Sequence, residues 1–143
     1  MAITKSIDFP AKGKITGVRD GQAVFHPAGT NYELHLNLVD GQPLTESDRP
    51  VEVTIRVRAR KVWTVPSGGN FIAPIFGPPK IIQGRVKWLD ERTLVVHAGT
   101  NFVVEMPGSD QALDLANGPI AVGTMVNVTV MPGATLELSD PRA

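Results

Sequence analysis

Two histidines stand at matching places in the sequence and are the first residues to examine for chemistry. His26 opens the run HPAGTNYEL, and His97 opens the run HAGTNFVVE. Asn31 comes shortly after His26, and Asn101 comes shortly after His97. A glycine-containing turn lies between each histidine and its asparagine. An imidazole beside such a turn can bond to a loop carbonyl or to the asparagine at the far end of the loop. We therefore predict that His26, Asn31, His97 and Asn101 form a structural turn motif.

A metal site at these histidines would need further ligands about 2 Å from one ion. Glu33 and His35 share the outward face of His26, and Glu105 shares that of His97. Cross-strand geometry puts these side chains at diagonal or longer separations, which fits poorly with the short distances that one metal ion requires. We predict no metal site and no cofactor.

Known catalytic motifs do not occur in the sequence. It has no Cys nucleophile, no Gly-x-Ser-x-Gly elbow, no His-Glu-x-x-His pair and no phosphate-binding glycine loop. Asp90 and Glu91 are adjacent carboxylates, but they fall where a strand should turn. The chain is therefore predicted not to be an enzyme, and no catalytic residue is assigned.

The run TIRVRARK is the strongest candidate for ligand binding. Alternation places Arg56, Arg58 and Arg60 on one face of a strand, about 7 Å apart. Guanidinium groups at this spacing could grip phosphates or another polyanion, and Trp63 could add stacking. The alternative is a solvated face whose arginines pair with acidic neighbours, because the aligned residues later in the chain are not basic.

The segment PSGGNFIAPIFGPPK, residues 66–80, combines Pro and Gly with four large apolar side chains. These are Phe71, Ile72, Ile75 and Phe76. A flexible linker would not carry them, and the Pro and Gly residues argue against a regular strand. Either the segment folds back between two units of the protein, or it docks into a second chain, since exposed apolar patches mark interfaces.

An internal repeat organises these candidates. The stretch from Gly13, GKITGVRDGQAVFHPAGTNYELHL, aligns with that from Gly84, GRVKWLDERTLVVHAGTNFVVEM, at an offset of about 71 residues. Within both stretches apolar residues alternate with polar ones, which indicates strands. The predicted inward-facing residues are Ala23, Phe25, Tyr32, Leu34 and Leu36 in the first hairpin, and Leu94, Val96, Phe102, Val104 and Met106 in the second.

The repeat predicts an all-β fold of two tandem small antiparallel β-barrels, each of four to six strands, packed together. The first would occupy residues 1–65, a Pro/Gly-rich apolar linker residues 66–80, and the second residues 81–143. At most one short helix is expected, in SDQALDLANG from Ser109. Twelve Pro and fourteen Gly fit many short strands joined by turns.

Composition restricts the class of protein. Fourteen basic and fourteen acidic residues give no net charge, which argues against a chain whose main role is to bind nucleic acid or a membrane surface. The N-terminal stretch MAITKSIDFPAKGK has Lys and Asp where a signal peptide is apolar, so a cytoplasmic location is predicted.

The Gly-[Lys/Arg]-[Ile/Val] openings, the glycine-turn hairpins and the run IAVGTMVNVTVMPGATLEL resemble the transport-associated oligonucleotide-binding-type (TOBE) barrels. Two such units in one short chain are similar to the molbindins. That resemblance implies a cytoplasmic oligomer that holds molybdate or tungstate at interfaces. The Ser-Ala-Arg-Asn-Gln stretch of that family is replaced here by SIDFPAKGK and KIIQGR, so no ligand residue is carried over.

The sequence leaves three functions open. The first is a non-catalytic binding or assembly module that acts through protein contacts of residues 71–76, with itself or another protein as partner. The second is a carrier of a small oxyanion bound between the repeats. The third is a nucleic-acid or polyanion binder that uses Arg56, Arg58 and Arg60.

Overall fold

A computed structural model describes residues 9–39, 49–108 and 113–138. Twelve strands belong to one sheet with mixed parallel and antiparallel pairing. In chain order they are β1 (Ala11–Arg19), β2 (Gln22–Pro27), β3 (Glu33–Leu38), β4 (Val51–Thr64), β5 (Phe71–Ala73), β6 (Phe76–Gly77), β7 (Ile81–Leu89), β8 (Thr93–His97), β9 (Asn101–Glu105), β10 (Leu113–Asp114), β11 (Met125–Val130) and β12 (Thr135–Leu138).

The protein is all-β across the described residues, as its alternating pattern predicts. The expected short helix is not found in the part of its segment that the structure describes. Leu113 and Asp114 form β10, and the Gly118 N–H donates to the Leu115 carbonyl to close a turn. Residues 109–112 lie outside the described residues. No helix in the described ranges has the length and apolar character to cross a membrane.

The inward face of the two hairpins is confirmed. Eight of the ten residues predicted to face inward are buried, and Tyr32 and Met106 are partly buried against the same core. In the second hairpin the other face is buried as well, at Val95 and Val103. The core is one continuous cluster that draws side chains from most of the strands.

The hairpins share one irregularity. In β1 the pairing with β2 shifts between Ile15 and Gly17, and in β7 the pairing with β8 shifts between Val86 and Trp88. Each shift leaves one extra residue on the longer strand, which is a β-bulge. The two bulges fall at positions that the sequence alignment equates.

The pairings form two closed circuits of five strands. In the first circuit β1 pairs with β2, β2 with β3, β3 with β12, β12 with the first part of β4, and β4 again with β1. In the second circuit β7, β8, β9, the last part of β4 and β11 follow one another and return to β7. Within these circuits every strand has partners on both sides, so few backbone edges are exposed.

Each circuit takes one strand from the other half of the chain. β12, near the C-terminal end, lies between β3 and β4 in the first circuit. The last part of β4 lies between β9 and β11 in the second circuit. The pairings therefore cross the predicted boundaries at residues 65 and 81, and neither half contains all the strands of a circuit.

The segment 66–80 contains two short strands, contrary to the expectation that Pro and Gly prevent them. β5 pairs with β7 of the second circuit, and β6 pairs with β3 of the first. The Ile72 N–H also donates to the Tyr32 hydroxyl at 3.1 Å. The segment therefore bonds to strands of both circuits.

Candidate anion-binding groove

The central strand β4 carries the three predicted arginines on its solvent side. Val57 and Ala59 are buried, while Arg56, Arg58 and Arg60 are exposed between and beside them. The alternation of an extended strand produces this separation, because successive side chains point to opposite faces. The sequence therefore predicted the orientation of the arginines correctly.

Strict alternation would place Trp63 on the face opposite the arginines. In the structure Trp63 lies on the arginine side, because an extra residue interrupts the alternation. Thr129 of β11 pairs with Lys61 and Val130 pairs with Ala59, so Arg60 is an extra residue in β4. Such a bulge reverses the side-chain phase of the residues that follow. Beyond it Val62 and Thr64 are buried, and the exposed Lys61 and half-buried Trp63 lie on the arginine side.

The Lys61 ammonium lies 5.4 Å from the centroid of the Trp63 ring, within the range of a cation–π contact. We call Arg56, Arg58, Arg60, Lys61 and Trp63 the basic stripe. It extends for about 23 Å at the rise of an extended strand.

Two adjoining clefts flank the arginines. The larger has a volume of about 660 Å³ and is lined by Arg58 and Arg60, and the smaller, of about 400 Å³, is lined by Arg56 and Arg58. Arg92 lines both clefts, and so does Glu105. We call these two clefts the arginine groove.

Arg92 is a groove residue that the sequence did not indicate. The Asp90 carboxylate accepts the backbone N–H groups of Arg92 and Thr93, at 2.9 and 2.8 Å, and so fixes the turn before β8. Thr93 then pairs with Glu105, and Glu105 pairs with Arg58. These pairings run across the three strands β8, β9 and β4. No pattern of neighbouring residues in the sequence therefore connects Arg92 with the arginines of β4.

The groove has more cationic than anionic groups. Its lining contains four guanidinium groups, and the carboxylates of Glu91 and Glu105 oppose them. Arg58 Nε lies 3.6 Å from Glu105 Oε1, but both side chains are about two-thirds exposed, at 68% and 65%. An exposed pair of this kind contributes about 0–1 kcal/mol, so Arg58 can exchange this partner for an anionic ligand.

The groove is lined from both halves of the chain. Arg56, Arg58 and Arg60 belong to the predicted first unit, whereas Arg92 belongs to the second. Met106 and Met131, also from the second unit, give the larger cleft an apolar wall. The groove can thus accept an anionic group together with apolar surface.

The histidine turns have the predicted type of bonding. His97 Nδ1 lies 2.9 Å from Asn101 Oδ1, and the Asn101 amide donates to the Pro10 carbonyl at 3.1 Å. In the first turn His26 Nδ1 lies 2.9 Å from the Tyr32 carbonyl oxygen, and Asn31 is exposed. The inserted Pro27 lengthens this turn by one residue, which explains why the asparagine is not in the position of Asn101.

The four apolar residues of the segment 66–80 do not share one environment. Ile72 is buried in a row of core residues with Ile82 of β7, so it is unavailable to a partner in this fold. Phe71 is 37% exposed, Ile75 62% and Phe76 63%. We call Phe71, Ile75 and Phe76 the apolar patch.

The apolar patch is held by the backbone. The Glu33 N–H donates to the Ile75 carbonyl at 2.9 Å, and Phe76 pairs with Glu33. The Phe76 ring packs edge-on against the His35 ring, with centroids 4.6 Å apart. These contacts fix the backbone at Ile75 and Phe76 and orient the Phe76 ring.

In the described residues no cluster of three or more His, Asp or Glu side chains could hold a metal ion. Comparison of the chain with protein-family models, with curated proteins and with solved structures gives no match. The geometry of the protein itself is therefore the basis for a functional proposal.

Proposed function

We propose that the protein is a non-catalytic binding module that takes an anionic ligand in the arginine groove. The observation that carries the proposal is the convergence of Arg56, Arg58, Arg60 and Arg92 on two adjoining clefts. A guanidinium group binds phosphate and carboxylate oxygens through two parallel hydrogen bonds, and such charge-assisted bonds are stronger than neutral ones. The two opposing carboxylates leave an excess of positive charge for a ligand.

Titration calorimetry at low ionic strength tests this proposal, with linear polyphosphate as the probe. Replacing Arg56, Arg60 and Arg92 by Gln should weaken binding more than about tenfold, since each lost bond to a charged group costs roughly 1.5–3 kcal/mol. Arg19→Gln is the matched control, because Arg19 is exposed and lines neither cleft. Absence of binding to the unaltered protein would contradict the proposal.

The duplicated-barrel interpretation belongs to the same proposal. It is supported by the two five-strand circuits and by the matching bulges, which we interpret as two small barrels that exchange their last strands. The similarity to molbindins adds a small oxyanion as an alternative ligand at this groove. Phosphate, sulfate, molybdate and tungstate should then each be compared with polyphosphate, because a ligand of the native state raises its melting temperature.

A second candidate function is assembly into a homo-oligomer through the apolar patch. Three large apolar side chains that are exposed favour it, since each contributes roughly 1.5–3 kcal/mol when fully buried. Replacing Ile75 and Phe76 by Ser should lower the mass measured by light scattering at high concentration. Val122→Ser, at a residue 65% exposed elsewhere, should not. A monomeric unaltered protein would exclude this candidate.

A further inference from the structure

We infer that the ligand of the arginine groove is a single-stranded nucleic acid, which follows the groove and stacks a base on Trp63. This inference rests on the proposed anion-binding function and names its ligand class. The observation behind it is the bulge at Arg60, which puts Lys61 and Trp63 on the same side of the sheet as the arginines.

The spacing of the basic stripe suits a linear chain of phosphates. Alternate residues of a strand lie about 6.6 Å apart on one face, which is close to the separation of neighbouring phosphates in an extended single strand. Arg56, Arg58 and Arg60 therefore present cations in series along one direction. An isolated oxyanion would use only one or two of them.

Trp63 provides an aromatic surface for stacking, which a nucleic-acid base can use and an inorganic polyanion cannot. Base stacking on an aromatic side chain strengthens binding about fivefold or more per base and tolerates any sequence. Lys61 reaches over one face of the Trp63 ring, so a base that stacks on this face would displace the ammonium group from it. Asp114 is the neighbour of Trp63 on β10, and its carboxylate disfavours a phosphate there. The base, and not the phosphate, should therefore meet the ring.

Single strands fit this surface better than a duplex. The cations lie on the central strand, with clefts of about 660 and 400 Å³ beside them. A flexible strand can enter such concave surfaces, whereas the bases of a duplex are already stacked and cannot reach Trp63. The inference therefore distinguishes single-stranded from double-stranded nucleic acid.

The test compares a labelled oligothymidylate, about eight nucleotides long to match typical site sizes, with polyphosphate of similar charge. Fluorescence anisotropy should give tighter binding of the oligonucleotide. Trp63→Leu should weaken oligonucleotide binding about fivefold or more and leave polyphosphate binding unchanged. Trp88→Leu, which removes the other half-buried tryptophan, should change neither.

A second measurement leaves Trp63 in place. In the Trp88→Phe protein Trp63 is the sole tryptophan, so quenching by oligothymidylate but not by polyphosphate reports stacking directly. Polyphosphate binding with no preference for the oligonucleotide and no quenching would overturn this inference alone. Binding of neither probe would overturn the proposed function. A duplex that binds as tightly as the single strand would also contradict the inference.

Discussion

Gly13 and Gly84 occupy equivalent places beside the histidine turns, and neither site has room for a side chain. A Cβ added at Gly13 would overlap the carbonyl oxygen of His26, and one at Gly84 would overlap that of His97. Because both obstacles are backbone atoms, the strands themselves would have to separate. Gly13→Ala and Gly84→Ala should each lower the free energy of unfolding by about 1–3 kcal/mol or more, measured by urea denaturation.

Gly17→Ala is the matched control for these two substitutions. A Cβ at Gly17 would find the Val24 side chain at 3.6 Å, which is an ordinary contact. The change also restricts the unfolded chain, so stability should stay constant or rise slightly. Equal losses at Gly13, Gly17 and Gly84 would show that the close backbone approach is not the cause.

The two asparagines of the turn motif should differ in their contribution to stability. Asn101 bonds to both His97 and the Pro10 carbonyl, whereas Asn31 is exposed. Asn101→Ala should therefore lower the free energy of unfolding by about 1–3 kcal/mol, since it leaves part-buried groups without partners. Asn31→Ala should lie within about 0.5 kcal/mol of the unaltered protein in the same denaturation experiment. Similar effects at both sites would contradict this account.

At the scale of elements, the bulge in β4 determines which side chains reach the solvent. Deleting Arg60 would remove the extra residue, and regular alternation from Ala59 onward would then keep Val62 and Thr64 on the buried face and Lys61 and Trp63 on the exposed one. No side chain changes face, so the deletion variant should still fold. Arg60→Ala keeps the register and should retain the native circular dichroism spectrum. A deletion variant that does not fold would contradict this account of the bulge.

The same element shows what could and could not be predicted from the sequence. Period-two alternation predicted the hairpins and the orientation of Arg56 and Arg58, because it depends only on neighbours along the chain. The side of Trp63 was not predictable in this way, since the extra residue is visible only in the pairing of β4 with β11. Arg92 was missed for the related reason that its approach to Arg58 depends on β9 lying beside β4.

Ile72 and Phe76 illustrate a further limit. Both are large apolar residues of one Pro/Gly-rich segment, and composition treats them alike. The core accepts Ile72 because β5 lies beside β7, where Ile72 continues the buried row through Ile82. Phe76 lies beside Glu33 and faces solvent. Burial is therefore decided by the pairing partner of each short strand.

At the scale of the whole molecule, the exchanged strands make the two circuits depend on each other. β12 is required to connect β3 with β4, and the last part of β4 is required to connect β9 with β11. Loss of either strand would leave backbone groups of two neighbouring strands without partners, and each such group costs free energy where it stays buried away from water. The arginine groove lies where these strands meet, so ligand binding and the stability of both circuits should be coupled.

This dependence can be tested by dividing the chain within the exposed stretch 66–70. The first fragment lacks β12 and the second lacks β4, so neither can complete a circuit as a monomer. We expect neither fragment alone to give a folded monomer by circular dichroism and light scattering, and an equimolar mixture to recover the spectrum of the intact chain. Recovery should follow second-order kinetics because two chains must meet. Two fragments that fold separately as stable monomers would instead mean that each half can close its own circuit without exchange.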